Sequence, residues 1–136
     1  MADTVYDKIY DYLASLPMSN QICSELGTTL AHSNLFIGYE PNTDSDSVTI
    51  IPYAGASPEP DGWRQNPSVQ IRLKTSSREK ALRVQQAVIN DFHMRSIDNK
   101  IKLFANNSAP TIMPDISGGE WKVTVSNYRI KNIKIT

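Results

Sequence analysis

Apolar and polar positions alternate from Val69 to Lys74: Val69, Ile71 and Leu73 against Gln70, Arg72 and Lys74. A period of two is that of a strand with one buried and one wet face. After the serine pair Ser76–Ser77 the period changes. Ala81, Leu82, Val84, Val88, Ile89 and Phe92 recur at helical spacing, which predicts a helix of about four turns lying across the sheet. Ser76 stands three residues before Glu79, the spacing of a capping box.

The same reading extends along the chain. Val5, Ile9, Tyr12 and Leu13 mark the apolar face of a first helix from about Thr4 to Ser15, capped by Asp3 or Thr4 and ended by Pro17. Residues 20–31 fit either a short helix or an irregular turn. Strands are predicted over Leu35–Tyr39 and Val48–Tyr53, separated by Pro41 and the polar run "NTDSDS". Pro52 lacks an N–H, so its strand lies at a sheet edge or ends there. "ASPEPDGWRQNP" is a long loop. Lys100–Ala105 forms a further strand, and "EWKVTVSNYRI" the last clear one. In that last strand Trp121, Val123 and Val125 point one way. The next apolar residues, Tyr128 and Ile130, are out of phase, and a bulge near Asn127 would account for the slip. Strands come in blocks with a helix inserted. The expectation is one α+β domain over residues 1–136, with a mainly antiparallel sheet of about four to five strands and two main helices packed on it.

A chain of 136 residues, 40% hydrophobic and 21% charged, has the composition of a globular domain. Its apolar runs are too short to cross a bilayer, so no membrane partner is expected. Residues 1–20 lack the basic head and apolar block of a secretory leader. The zero net charge hides a division. Residues 1–61 hold nine acids and one base, a net of −8; residues 62–136 hold thirteen bases and five acids, a net of +8. Either the two parts mix their charges on one surface, or the molecule has an acidic and a basic side. The second arrangement favours head-to-tail contact between copies.

Candidate chemistry is sparse. Cys23 and His32 could pair, but no glycine elbow or neighbouring base activates the thiol, and a free cysteine is commonly a small buried hydrophobe. One cysteine and two histidines write no zinc pattern. His93 closes the long helix, where an imidazolium interacts well with the helix dipole. Asp44 and Asp46 have calcium-loop spacing without the glycine or the distal glutamate. Arg72, Lys74, Arg78, Lys80 and Arg83 cluster at the strand–helix junction, a basic face for a nucleic acid or for another copy. Trp63, in the loop with Glu59, Asp61 and Arg64, is either folded back on its own domain or an anchor for a partner. No metal, no cofactor and no catalytic activity are expected.

The order of these features carries a resemblance. Leu35, Phe36, Gly38 and Pro41, then Val48, Ile50, Pro52, Gly55 and Pro58, then Pro67, Val69, Gln70, Ile71 and Arg72, then Ala81, Val84, Ala87 and Val88 are similar in kind and spacing to the bacteriophage minor capsid or tail-completion family, the tail terminators. The likeness covers roughly residues 4–93; it departs in a longer Trp63 loop and in having no glycine after Leu73. The resemblance implies a structural protein of the virion neck, assembled in the host cytoplasm. It implies a hexameric ring that caps the head-proximal end of the tail tube, stops its growth and offers a surface to the head-side connector. DNA would pass through the lumen without sequence-specific binding. On this reading the turn with Glu40, Asp44 and Asp46 faces the lumen. The loop with Glu59, Asp61, Trp63 and Arg64 touches a partner, and Arg72, Lys74, Arg78, Lys80 and Arg83 form a basic face between subunits. The alternatives are another neck component, a stopper or adaptor, or a non-enzymatic α+β binding module.

Overall fold

The computed structural model describes residues 4–38, 46–56, 66–97, 101–107, 109–112 and 122–132. Helix α1 spans Val5–Ala14. Thr4 caps it: its hydroxyl accepts from Asp7 N at 3.1 Å, and Asp7 Oδ2 accepts from Thr4 N at 3.0 Å. This reciprocal pair satisfies two backbone donors that a helix start leaves without partners. Helix α2, Gln21–Leu26, resolves the ambiguous stretch. Asn20 Oδ1 accepts from Ile22 N at 2.9 Å, and Gly27 closes the helix at φ +92°, a conformation that strains any residue with a side chain.

Helix α3 spans Arg78–Phe92. Its cap is Ser77, which accepts from Lys80 N, rather than Ser76. The reason lies in the preceding strand. β3 runs Asn66–Thr75, and Thr75 is buried at its end with its hydroxyl donated to Ser77 O at 2.7 Å. The chain turns one residue later than the capping-box spacing suggests.

The other strands are β1 Leu35–Ile37, β2 Ser47–Ala56, β4 Ser96–Ile97, β5 Ile101–Ala105, β6 Thr111–Ile112 and β7 Lys122–Asn132. Their order is β1-β2-β3-β7-β5-β4, with β6 also paired to β7. This corrects the expected architecture. Among the described residues the sheet has seven strands with three helices. It is mixed and curls into a half-barrel, in place of a mainly antiparallel sheet of four to five strands with two helices. The parallel element is β1 on β2, paired Leu35↔Val48 to Ile37↔Ile50. A polar turn between consecutive strands usually makes a hairpin, but the chain between Ile37 and Ser47 is long enough to return past a three-residue strand. β4 and β6 have two residues each, too few to register as a period.

β2 also explains its proline. Val48 N donates to Asn34 O, and Gly38 N donates to Ile50 O, so even-numbered positions of β2 address β1. Pro52 is the next such position, just past the end of β1, where no strand of the described chain asks for its N–H.

The core lies between the helices and one face of the sheet. Val48, Ile50, Val69, Ile71, Leu73, Ile101, Leu103, Tyr128 and Ile130 meet Ile9, Leu13, Ile22, Leu26, Val84, Val88 and Phe92 there. Phe92 is its hub, with ring centroids 5.2 Å from Tyr128 and 6.1 Å from Tyr12.

β7 stays in unbroken register with β3, from Ser68↔Arg129 to Thr75↔Lys122, so there is no bulge at Asn127. The apparent phase slip has another cause. Thr124 and Ser126 point inward with Tyr128 and Ile130, because a buried glutamine of α3 lies against them. Gln85 Nε2 donates to Ile71 O and Thr124 O, each at 3.1 Å. Ser126 Oγ donates to Gln85 Oε1 at 2.8 Å and lies 2.7 Å from Tyr128 Oη. A buried amide is tolerated when its donors and acceptors are matched in this way.

Candidate functional site

The face of the sheet turned away from the helices, called here the far face, carries the cations. Alternation places Arg72 and Lys74 of β3 on it, opposite in phase to buried Ile71 and Leu73. Lys102 and Phe104 of β5 and Arg129 and Lys131 of β7 stand on the same face, again alternating with buried Leu103 and Ile130. Register places Lys102 directly opposite Lys131, and Phe104 directly opposite Arg129. The Lys102 ammonium and the Arg129 guanidinium each lie 5.7 Å from the Phe104 ring centroid, a cation–π arrangement on a sheet surface. Arg129 and Lys131 are exposed, while Lys102 and Phe104 are half-buried.

The five cations grouped by sequence proximity do not form one face. Arg72 and Lys74 stand on the far face, whereas Arg78, Lys80 and Arg83 belong to α3 on the other side of the sheet. Two of the latter are engaged. Lys80 Nζ reaches Asp46 Oδ2 at 2.6 Å, and Arg83 Nε reaches Glu25 Oε2 at 3.1 Å. The first pair joins the start of β2 to α3; the second joins α2 to α3. Asp46 is therefore a half-buried partner of a lysine rather than a bare surface charge. Glu40 and Asp44, and the whole group Glu59, Asp61, Trp63 and Arg64, lie outside the described residues.

Sequence reasoning missed the Lys102–Phe104–Arg129–Lys131 group. "IKLFA" and "YRIK" both alternate, so each pair was visible as the outward side of a strand. Their meeting depends on the β5–β7 pairing, which alternation does not specify.

Cys23 is fully buried on α2, its Sγ 3.7 Å from Leu16 O, and burial pushes its thiol pKa up despite a backbone hydrogen bond near Leu30 that lowers it. His32 is exposed. His93 stands at the end of α3, the position expected from sequence, and its Nδ1 accepts from Ala105 N at 3.2 Å, tying the helix end to β5. Beside it, Ile89, Asn90, His93, Ala105, Asn106 and Asn107 line an open pocket of about 360 Å³. A second tie holds α1 to α3: Tyr12 Oη donates to Asp91 Oδ2 at 2.6 Å, and Arg95 pairs with Asp91 Oδ1 at 3.2 Å. Among the described residues no group of three His, Cys, Asp or Glu side chains could hold a metal ion, and no helix is long and apolar enough to cross a membrane.

The described chain presents a curled sheet backed by helices on one face and studded with cations on the other. A family profile described as bacteriophage tail terminator protein matches residues 13–132, and the chain belongs to that family. It is a structural protein of a phage tail and a component of the virion. No curated protein matches it.

Proposed function

We propose that this protein forms a hexameric ring that caps the head-proximal end of the tail tube, stops further addition of tube subunits and presents the joining surface to the head-side connector. The family match over residues 13–132 carries this reading. The ring assembles in the host cytoplasm and lets DNA pass without reading its sequence. Its role is non-enzymatic, a reading supported by the burial and raised thiol pKa of Cys23, which keep the thiol protonated near neutral pH.

In this proposal the acidic turn faces the lumen, where its charge keeps DNA phosphates from adhering. Lys80 offsets Asp46, so Glu40 and Asp44 supply that repulsion. The loop with Glu59, Asp61, Trp63 and Arg64 meets the tube or the connector, with Trp63 as its anchor.

The test is a phage from which this gene has been removed. Electron micrographs of the lysate are expected to show tail tubes of uncontrolled length and filled heads without tails, both corrected by supplying the protein. Tubes of normal length joined to heads in its absence would overturn the proposal.

A further inference from the structure

We infer that the far-face patch of Lys102, Phe104, Arg129 and Lys131 is the positive half of the contact between neighbouring copies. Its occupant is the acid-rich first part, residues 1–61, of a second copy of this chain. The inference rests on the ring reading and adds to it which surface joins the subunits and what it receives.

Three observations carry it. The first is an electrostatic liability. Lys102 and Lys131 stand directly opposite each other on adjacent strands, and Arg129 is the next outward residue along β7. Like charges in opposed positions destabilise a sheet. Among the described residues no carboxylate pairs with any of the three, and every charged side chain on this face is a base. Carboxylates brought by a neighbour would turn that repulsion into attraction.

The second observation concerns what the patch can read. Phe104 is the aromatic of the patch, and two cations already lie against its ring. A stacked base would have to displace them. The cations, held in place by the ring, recognise charge instead of a flat ring system.

The third observation selects the occupant. The acids that balance this chain's bases lie in residues 1–61, nine against one base. Where the described part of that segment forms α1, it packs in the helical layer, with Asp11 exposed on its outer side. The sheet separates α1 from the patch, so Asp11 does not reach it within one copy, while Glu25 and Asp46 are already paired with Arg83 and Lys80. Two copies placed head to tail can bring further acids of this segment to it, and a heterologous contact of that kind closes into a ring when the rotation allows.

The experiment uses the full chain and a triple reversal, Lys102→Glu, Arg129→Glu and Lys131→Glu, with Lys102→Gln, Arg129→Gln and Lys131→Gln as a milder variant. Circular dichroism first establishes that each folds. Light scattering over a concentration series then gives the assembly midpoint, alone and with purified tail tubes. The reversal is expected to raise that midpoint about 100-fold or more, the neutral variant less. Wild-type assembly is expected to weaken between roughly 0.05 and 0.5 M salt. Carbodiimide cross-linking of mixed-isotope wild-type rings should join Lys102 or Lys131 of one copy to an acid within residues 1–61 of another. Rings that survive the reversal, or cross-links that place the patch elsewhere, overturn this inference and leave the ring reading standing. Duplex DNA retained by the wild type and lost by a reversal that still forms rings assigns the face to nucleic acid and also overturns it. A wild-type chain that never associates, even on tubes, removes the ring reading and this inference together.

Discussion

On one face of β7, Thr124, Ser126 and Tyr128 lie buried beneath α3, joined through Gln85 and through the Ser126–Tyr128 contact. On the other face of the same strand, Arg129 and Lys131 stand exposed beside Lys102 and Phe104. Both faces carry polar groups where a simple sheet would not need them. Beneath the helix the donors and acceptors satisfy one another, so the polarity helps fix one register and one helix position. On the far face Lys102, Arg129 and Lys131 share a sign and pair with no carboxylate among the described residues, so they contribute little to folding and can meet a partner. The difference separates polarity that specifies the fold from polarity that faces outward.

The largest effect should come from breaking the closed side. Gln85→Leu keeps the volume but deprives Ser126, Thr124 and Ile71 O of a partner. Leaving such groups buried and unpaired is expected to cost about 2–3 kcal/mol in urea unfolding. Adding Thr124→Val, Ser126→Ala and Tyr128→Phe should recover part of that loss, because the orphaned hydroxyls are then gone while the carbonyls of Ile71 and Thr124 still lack the Gln85 donor. A Gln85→Leu protein as stable as the parent would show that the network does not matter for stability.

A second test uses pH. Burial raises the Tyr128 pKa above its ordinary value of 10.0, and the hydrogen bond with Ser126 only partly opposes this. The unfolded chain therefore loses its phenol proton first. Stability is level below about pH 10 and falls above it, by about 1.4 kcal/mol per pH unit for this one group, until the folded phenol also ionises. Tyr128→Phe should show a shallower alkaline limb in unfolding curves; an unchanged slope would remove Tyr128 from the account.

The smallest effect belongs to the far face. Lys102→Ala or Arg129→Ala should change unfolding free energy by no more than about 0.5–1 kcal/mol, the range of an exposed cation–π contact. A loss as large as that of Gln85→Leu would erase the contrast between the two faces.

Much of the helical layer could be read from the sequence, because caps and periodicity are local. Thr4 stands directly before α1, and the apolar positions of α3 recur within one fifteen-residue segment. The sheet was read less well. β4 and β6 have two residues each, and the parallel pairing of β1 depends on how the chain returns before β2. The phase of β7 misled because its inward positions, Thr124 and Ser126, are polar for the sake of Gln85. Gln85 lies among the apolar positions of α3, and Thr124 and Ser126 alternate with the apolar Val123 and Val125, so neither side was read as facing the core. Only their contact explains both. The far-face patch failed to register for the same reason, since its four residues meet through strand pairing alone.

The position of β7 has a consequence for how the molecule is made. It follows every other described strand in chain order, yet it fills the gap between β3 on one side and β5 and β6 on the other. As the polypeptide leaves the ribosome, β2 and β3 can form their hairpin, but the two halves of the sheet stay separate until β7 emerges. Pairings between segments so distant in sequence slow folding. A chain broken off before Lys122 would leave the edge of β3 bare, and such a fragment is expected to aggregate or be degraded rather than join an assembling tail.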